Sequence, residues 1–344
     1  MPDAATIRFP EADYPHNVAV SAVISVWNRS EFLADALVSV RDQSTDAVVE
    51  TVIVDDGSYD SSFALAIAWA EQNASPRRPV TLVARPHQGI APTVRAGIAA
   101  ARGEYVAHLA SDDMWRPDRV QRALDALEAY GRPAAVFTDF SVVDSDLAEV
   151  LPDGLASMGW TGMPPVLSDG AGDVAAAWWR YRQVMGGALL LIPRDWLSGP
   201  AQLPADAPEE DYWFSLVAFL AGPVLFISEP TYTVRGHAGQ ETRRRQLEGV
   251  GNEEAQRALL REQIALVAAD GRQPRVLTAL RIQEATVVAK QLRDAGRTAA
   301  AMAALMGVAP QLLTWPQATG RWLMRLGYCV SPALYGAVRQ RRWR

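Results

Sequence analysis

Apolar positions in the N-terminal half fall into short, near-continuous runs separated by amphipathic stretches. Val18 to Val26 is a β-branched run that reads as a strand buried on both faces. After it, Phe32, Leu33, Ala36, Leu37 and Val40 share one face of a helix that Ser30 can N-cap. The pattern then predicts strands at Thr51 to Val54, Val80 to Ala84, Tyr105 to Ala110 and Ala134 to Thr138. Between them it predicts helices at about Ser61 to Asn73, Ala91 to Ala101 and Pro117 to Tyr130, with Pro117 in the first turn of the last. This alternation implies an α/β fold with a doubly wound, mostly parallel central sheet. The rhythm breaks at about 144–185, a Gly-, Pro-, Asp- and Trp-rich stretch that reads as loop and insertion around a short helix at Trp178-Trp179. Ala188 to Ile192 is strand-like, Tyr212 to Ala221 is helical, and Val224 to Ile227 and Tyr232 to Val234 are short strands. From Asn252 onward the reading is α-helical: Glu253 to Ala269, Pro274 to Ala295 and Arg297 to Met306. The chain therefore divides at about 245, into a sheet region 1–245 and a helical C-terminal region 246–344.

Composition narrows the function. The chain of 344 residues is 49% hydrophobic and 21% charged, enough for a sizeable core. Its net charge of −6 excludes general nucleic-acid binding, so no nucleic-acid partner is expected. Cys329 is the single cysteine, which rules out an intrachain disulfide or a cysteine-based zinc site and suits a reducing cytoplasm. Met1 to His16 is polar and proline-interrupted, with no apolar core of a signal peptide, and no apolar run is long enough to span a bilayer. Lys290 is the sole lysine, so chemistry in the N-terminal half relies on arginine and histidine for positive charge. The segment from Arg321 to Arg344 mixes arginines with Trp322, Leu326, Tyr335 and Trp343. It is a candidate contact with an anionic membrane surface at the cytoplasmic face, or a solvated amphipathic helix.

Two adjacent carboxylates, Asp112 and Asp113, end the predicted strand Tyr105 to Ala110. Strand interiors disfavour Asp, and ligands of open α/β sheets bind just outside the carboxyl ends of the strands. Hard oxygen donors there suit Mg²⁺ or Mn²⁺. The alternative is that Asp112 caps the helix after Pro117.

Five further stretches recur in order with this pair: Val23-Ile24-Ser25-Val26-Trp27-Asn28-Arg29, Val52-Ile53-Val54-Asp55-Asp56-Gly57-Ser58, Gly103-Glu104-Tyr105-Val106, Glu210-Asp211 and Tyr232-Thr233-Val234-Arg235-Gly236-His237. With Ser111-Asp112-Asp113 they resemble the family 2 glycosyltransferases of GT-A fold, over about Val18 to Thr242. The resemblance implies an inverting, metal-dependent glycosyltransferase of hexosyltransferase type. Such an enzyme moves one sugar from a nucleotide-diphospho-sugar to an acceptor hydroxyl, carbohydrate, lipid-linked or other, in polysaccharide or glycoconjugate synthesis. It makes 1–245 the catalytic domain, with a nucleotide-binding half at about 18–143 and an acceptor half at about 144–245. The helical region is then a candidate for acceptor-side cover or homodimer formation.

Residue roles follow from the same resemblance. Ser25 and Trp27 lie in the nucleotide motif, where an indole stacks on a base. Asp56 contacts base or ribose, and Asp55 is structural. Asp113 of the DxD-like motif coordinates the divalent ion, Mn²⁺ or Mg²⁺, and Asp112 bonds the ribose. Asp211 is the general base, supported by Glu210; His237 ligates the ion, or with Arg235 holds the diphosphate. His16, His87 and His108 carry no such context, and His108 reads as a satisfied strand residue. The chain departs from the pattern in two places. Ala110 stands where many relatives have Asp, and Val94 stands at the usual arginine position. Arg95, one residue later, is turned by about 100° on a helix but remains a phosphate candidate. The Gln-x-x-Arg-Trp motif of processive synthases is absent. A nucleotidyltransferase, which leans on a Gly-rich N-terminal loop and lysines, fits less well. A non-catalytic binding module would have lost Asp113, Asp211 or His237.

Overall fold

The computed structural model describes residues 5–10, 14–181, 190–205, 207, 210–240 and 253–308. The chain divides into two compact units: residues up to Gly172 with 181–205 and 209–250, and 173–180 with 206–208 and everything from Gly251.

The first unit is built on a mixed sheet. Its strands are β1 (Ala5–Phe9), β2 (Val20–Val26), β3 (Val49–Asp55), β4 (Val80–Ala84), β5 (Tyr105–Ala110), β6 (Met114–Trp115), β7 (Ala135–Val143), β8 (Glu149–Leu151), β9 (Val166–Ser168), β10 (Leu190–Pro193) and β11 (Val224–Arg235). Their order is β1-β4-β3-β2-β5-β10-β7-β11-β6, with β8 on β7 and β9 on β11. The run β4-β3-β2-β5 is parallel, as is the β7–β11 pair. Helices α1 (Leu33–Arg41), α2 (Ser62–Asn73), α3 (Ile90–Ala100), α4 (Arg119–Tyr130), α5 (Gly154–Ser157) and α7 (Glu210–Ala221) accompany it. The strands are β-branched and almost wholly buried: Val20, Ile24, Val52, Ile53 and Leu109 lie in the core. Burial on both faces is what a continuous apolar run encodes. Gly97 lets α3 lie close to the sheet, because a Cβ there would meet Val23 Cγ1 at 2.3 Å.

Four features differ from the sequence reading. The expected parallel strands are present, but the sheet also carries antiparallel pairs: β10 pairs antiparallel with both β5 and β7, joining the two parallel halves. β1, in the polar N-terminal stretch, pairs antiparallel with β4 as an edge strand; its exposed, non-alternating pattern hid it. The strands expected at Val224 to Ile227 and Tyr232 to Val234 are one strand, β11, with register shifts around Pro230. Pro lacks the N–H that would mark a continuous ladder. Ser30 does not cap α1, which starts at Leu33; its N–H instead donates to Asp60. The strand expected from Ala188 is described only from Leu190, and 188–189 lie outside the described residues.

The second unit contains α6 (Val174–Tyr181, to Arg180), α8 (Glu253–Asp270), α9 (Pro274–Asp294) and α10 (Thr298–Met306). Gly296, with φ +75°, makes the turn between α9 and α10, and Ala289, Ala301 and Leu305 pack beneath it. Arg257 and Arg261 on α8 face Glu284 on α9, and Arg275 pairs with Asp173 at 2.8 Å. No described helix is long and apolar enough to cross a membrane. The basic, aromatic stretch 321–344 lies outside the described residues.

Candidate functional site

β2, β3 and β5 end side by side. Val26 is opposite Asp55 on β3, and Ser25 is opposite Ala110 on β5. The loops leaving these ends therefore gather at the point where the strand order reverses, the usual position of a ligand crevice in an open sheet.

Asp112 and Asp113 leave β5 in opposite directions. Asp113 is buried, and both its oxygens accept hydrogen bonds: Oδ2 from the Tyr232 hydroxyl at 2.8 Å and Oδ1 from the Arg235 N–H at 2.9 Å. Burial, and next the Asp112 charge, push its carboxyl up to about 7. Tyr232 is held in turn, its phenol raised well above its ordinary range by burial and Asp113. Behind Tyr232 lies Arg119, fully buried, its guanidinium over the Trp115 and Tyr232 rings and donating to Thr138 and Thr231. Asp112 faces the crevice. Its Oδ2 lies 3.0 Å from His237 Nε2 and 3.7 Å from Arg29 Nε. His237 Nδ1 accepts from the Gly239 N–H, which leaves the ring proton on Nε2, donated to Asp112. The Phe32 ring packs against the imidazole at 4.4 Å.

His237 is thus joined to Asp112, not to Asp113. Asp112 does not cap α4 either, whose N-cap is Asp118. Among the described residues, no group of three or more His, Cys, Asp or Glu side chains is arranged to hold a metal ion.

The second crevice wall is aromatic. Trp27 follows β2 with its indole 41% exposed. His87 stacks on it at 4.3 Å, the planes 16° apart, and Tyr59 meets it edge-on at 6.4 Å. Asp56 is buried beneath; its carboxylate accepts from the Gln88 and Gly89 N–H groups and lies 2.7 Å from His87 Nδ1, which hydrogen-bonds the Asp56 carbonyl at 3.2 Å. It organises the 85–89 loop rather than facing open space. Gly57, at φ +71°, permits the packing: a Cβ would meet His87 N at 2.8 Å. Asp55 Oδ2 accepts from the Ser58 N–H.

Glu210 and Asp211 open α7, whose Trp213, Phe214, Leu216 and Val217 are buried. Carboxylates are favoured in a first helical turn. Both reach toward β5: Glu210 Oε1 is 3.9 Å from His108 Nδ1, and the Asp211 charge acts on the same imidazole.

Three expected contacts are not brought to the crevice. The Arg235 guanidinium is buried, donating to Asp35 on α1 at 2.6 Å and lying over the Phe32 ring; its backbone, not its charge, serves the site. Ser25 Oγ is committed to His108 Nε2 at 2.9 Å. Arg95 reaches Gln202 at 3.0 Å, while Val94 at the expected arginine position is buried. One residue along α3 rotates the side chain by about 100°, away from the expected arginine position. Conversely, the reading from sequence gave no role to Arg29, His87, Tyr232 or Arg119. Arg29 and Tyr232 stand inside the quoted motifs, so the signal was there; nothing local marks Arg119, whose partners are distant in sequence.

Residues 21–154 match the family model described as glycosyl transferase family 2. Among curated proteins the chain is similar to the putative glycosyltransferase EpsH of Bacillus subtilis, 28% identical over 66% of this chain and 64% of that protein. It is also similar to an uncharacterized glycosyltransferase of Nostoc sp., 38% identical over 32% of this chain and 33% of the relative. The succinoglycan biosynthesis protein ExoO of Rhizobium meliloti is 36% identical over 34% and 32%. The chain thus spans under two thirds of the length of each. Among solved structures, S. aureus TarS with UDP aligns with a TM-score of 0.57 at 14% identity, over 91% of this chain and 87% of that one. TarS with UDP-GlcNAc aligns at 0.54 and 14%, over 79% and 82%. With its crevice at the ends of β2, β3 and β5 and its ordered motifs, the chain resembles glycosyl transferase family 2 over residues 21–154 and shares the fold of the TarS structures, the GT-A fold.

Proposed function

We propose that this protein transfers a single sugar from a nucleoside-diphospho-sugar to an acceptor hydroxyl, inverting the anomeric centre. The observation that carries the reading is convergence on one strand. Asp112 and Asp113 leave the end of β5 beside His237, while Glu210 and Asp211 approach His108 on the same strand. UDP and UDP-GlcNAc in the TarS structures support a nucleotide-sugar donor, and the name of ExoO supports a role in polysaccharide synthesis.

The exposed Trp27 face takes the nucleobase, and the diphosphate lies toward Asp112, His237 and Arg29. Asp211 accepts the proton of the acceptor hydroxyl. The freed oxygen attacks the anomeric carbon opposite the diphosphate, the carbon–oxygen bond to phosphate breaks, and its electron pair departs with the nucleoside diphosphate. The Arg29 guanidinium beside Asp112 offsets that negative charge. The donor set fits a divalent ion: carboxylate oxygen with imidazole nitrogen, once the imidazole gives up its Nε2 proton. Asp112 and His237 are the residues that would hold Mn²⁺ or Mg²⁺. Asp113, to which the resemblance gives that role, already has both oxygens occupied by protein donors. Such an ion supplies Lewis-acid neutralisation of the leaving group.

Asp211→Asn tests the assignment. The donor is whichever of UDP-, GDP-, dTDP- or CDP-sugars stabilises the protein most in a thermal-shift screen with Mn²⁺. Nucleoside diphosphate release should fall by about 10²–10⁴-fold, the range for loss of a general base, with donor affinity retained. Release at the wild-type rate would overturn the role of Asp211.

A further inference from the structure

The chain leaves β2 through Trp27, Asn28 and Arg29, and the middle residue has the unusual backbone. Asn28 has φ +52°, in the left-handed region that few residues besides glycine adopt. Asn is tolerated there because its short polar side chain can hydrogen-bond locally. Here the turn is locked from the loop that follows β3. The N–H groups of Asn28, Arg29 and Ser30 donate to Ser58 Oγ at 3.0 Å, Ser62 Oγ at 2.9 Å and Asp60 Oδ2 at 3.1 Å. The Tyr59 N–H returns the link to Asn28 Oδ1 at 2.9 Å. Asp55 Oδ2 and Asp60 Oδ1 tie down the same segment, accepting from the Ser58 and Ser62 N–H groups. Surface-loop N–H groups are satisfied by water at no structural gain. Using side chains of a second loop instead makes the two strand-end loops one unit.

The consequence lies on either side of Asn28. The strand order places β3 and β4 on one side of β2 and β5 on the other. Trp27 stacks on His87, from the loop after β4. Arg29 lies on the β5 side, its Nε 3.7 Å from Asp112. Its guanidinium also donates to the Asn28 carbonyl and the Gly239 carbonyl, both at 3.1 Å. In extended backbone, residues two apart share a face. The left-handed residue between Trp27 and Arg29 is what sends them to opposite sides of one strand end, and its own carbonyl holds the guanidinium there.

We propose that Asn28 is a positioning residue of the donor site: its left-handed turn, fastened to Ser58, Asp60 and Ser62, sets the span between the indole that stacks the base and the guanidinium that faces the diphosphate. The proposal rests on the donor reading above and deepens it. A site with both ends set in advance is fitted to an intact nucleoside diphosphate, and little loop ordering is left to be done when the donor binds.

The test compares Asn28→Gly with Asn28→Val in the full chain, by nucleoside diphosphate release from the sugar nucleotide chosen by thermal shift with Mn²⁺. Both variants lose the Tyr59 link. Gly keeps the left-handed turn without steric cost, whereas a β-branched side chain opposes it. Asn28→Val should lower kcat/KM on the order of 10²-fold, the effect of an ångström-scale misplacement. Asn28→Gly should lower it by about tenfold or less, the worth of one hydrogen bond. In an Arg29→Met background the Asn28→Val loss should shrink several-fold, because much of it acts through that guanidinium. Melting curves of each variant set the assay temperature below unfolding, and Asn28→Ala replaces Asn28→Val if the latter does not fold. Equal kcat/KM in the Gly variant and its bulkier counterpart, wild-type kcat/KM in the latter, or losses that multiply fully with Arg29→Met would each overturn the proposal. Failure of the donor reading looks different and overturns both: the wild-type protein is then stabilised by none of the sugar nucleotides.

Discussion

The Asp-Asp dipeptide occurs at the ends of two strands that flank β2, and the two copies end in opposite states. After β3, Asp55 and Asp56 are both turned inward: Asp55 holds the Ser58 N–H, and Asp56 gathers His87, Gln88 and Gly89. After β5, only Asp113 is turned inward, onto Tyr232 and Arg235, and Asp112 is presented to His237 and Arg29. The difference is topological. Beside β3 the chain returns through a tight loop with free backbone N–H groups, which consume both carboxylates. Past the end of β5 the chain meets the C-terminal part of the long strand β11, which offers one phenol and one N–H, enough for one carboxylate. The other is left for the crevice.

This contrast predicts unequal costs. Asp113→Ala strands two buried donors, the Tyr232 hydroxyl and the Arg235 N–H, and should destabilise the protein by about 2–5 kcal/mol. Asp112→Ala, at the crevice mouth, should change stability by under about 1 kcal/mol. Urea unfolding of the two variants checks this, and equal losses would break the distinction.

A smaller effect is expected with pH. Asp113 ionises near 7 in the fold and near its ordinary value of about 4 when unfolded. A group raised in this way contributes stability that is full below about pH 4 and is lost as pH rises through about 7. Asp139, raised to about 7 by burial and Asp153, acts in the same direction. The Asp113 share is therefore the difference between wild type and Asp113→Asn from pH 5 to 8. A stability difference that stays constant across that range would remove the buried-carboxyl account.

Much of this was readable from the chain. The parallel strands and their helices follow from apolar runs, and the Asp pairs, Trp27, Glu210-Asp211 and His237 stand in the order the resemblance implies. The resemblance did not give the direction of each side chain. Asp112 and Asp113 are adjacent, and adjacent residues at a strand end point apart, so which one faces β11 is decided by a strand more than a hundred residues away. Arg235 reads as a phosphate ligand until Asp35 and Phe32 on α1 surround it. Ser25 and His108 are each unremarkable in sequence and meaningful only as a pair 2.9 Å apart.

The central claim is that Asp112, of the four paired carboxylates, is the one given to chemistry. Its most direct test is nucleoside diphosphate release with Mn²⁺, comparing Asp112→Asn with Asp56→Asn. Asp112→Asn should lose turnover by on the order of 10²-fold or more while remaining folded. Asp56→Asn should act mainly through donor KM, by loosening the loop that carries His87. Near-normal turnover in Asp112→Asn, with the large kcat loss in Asp56→Asn, would contradict the account.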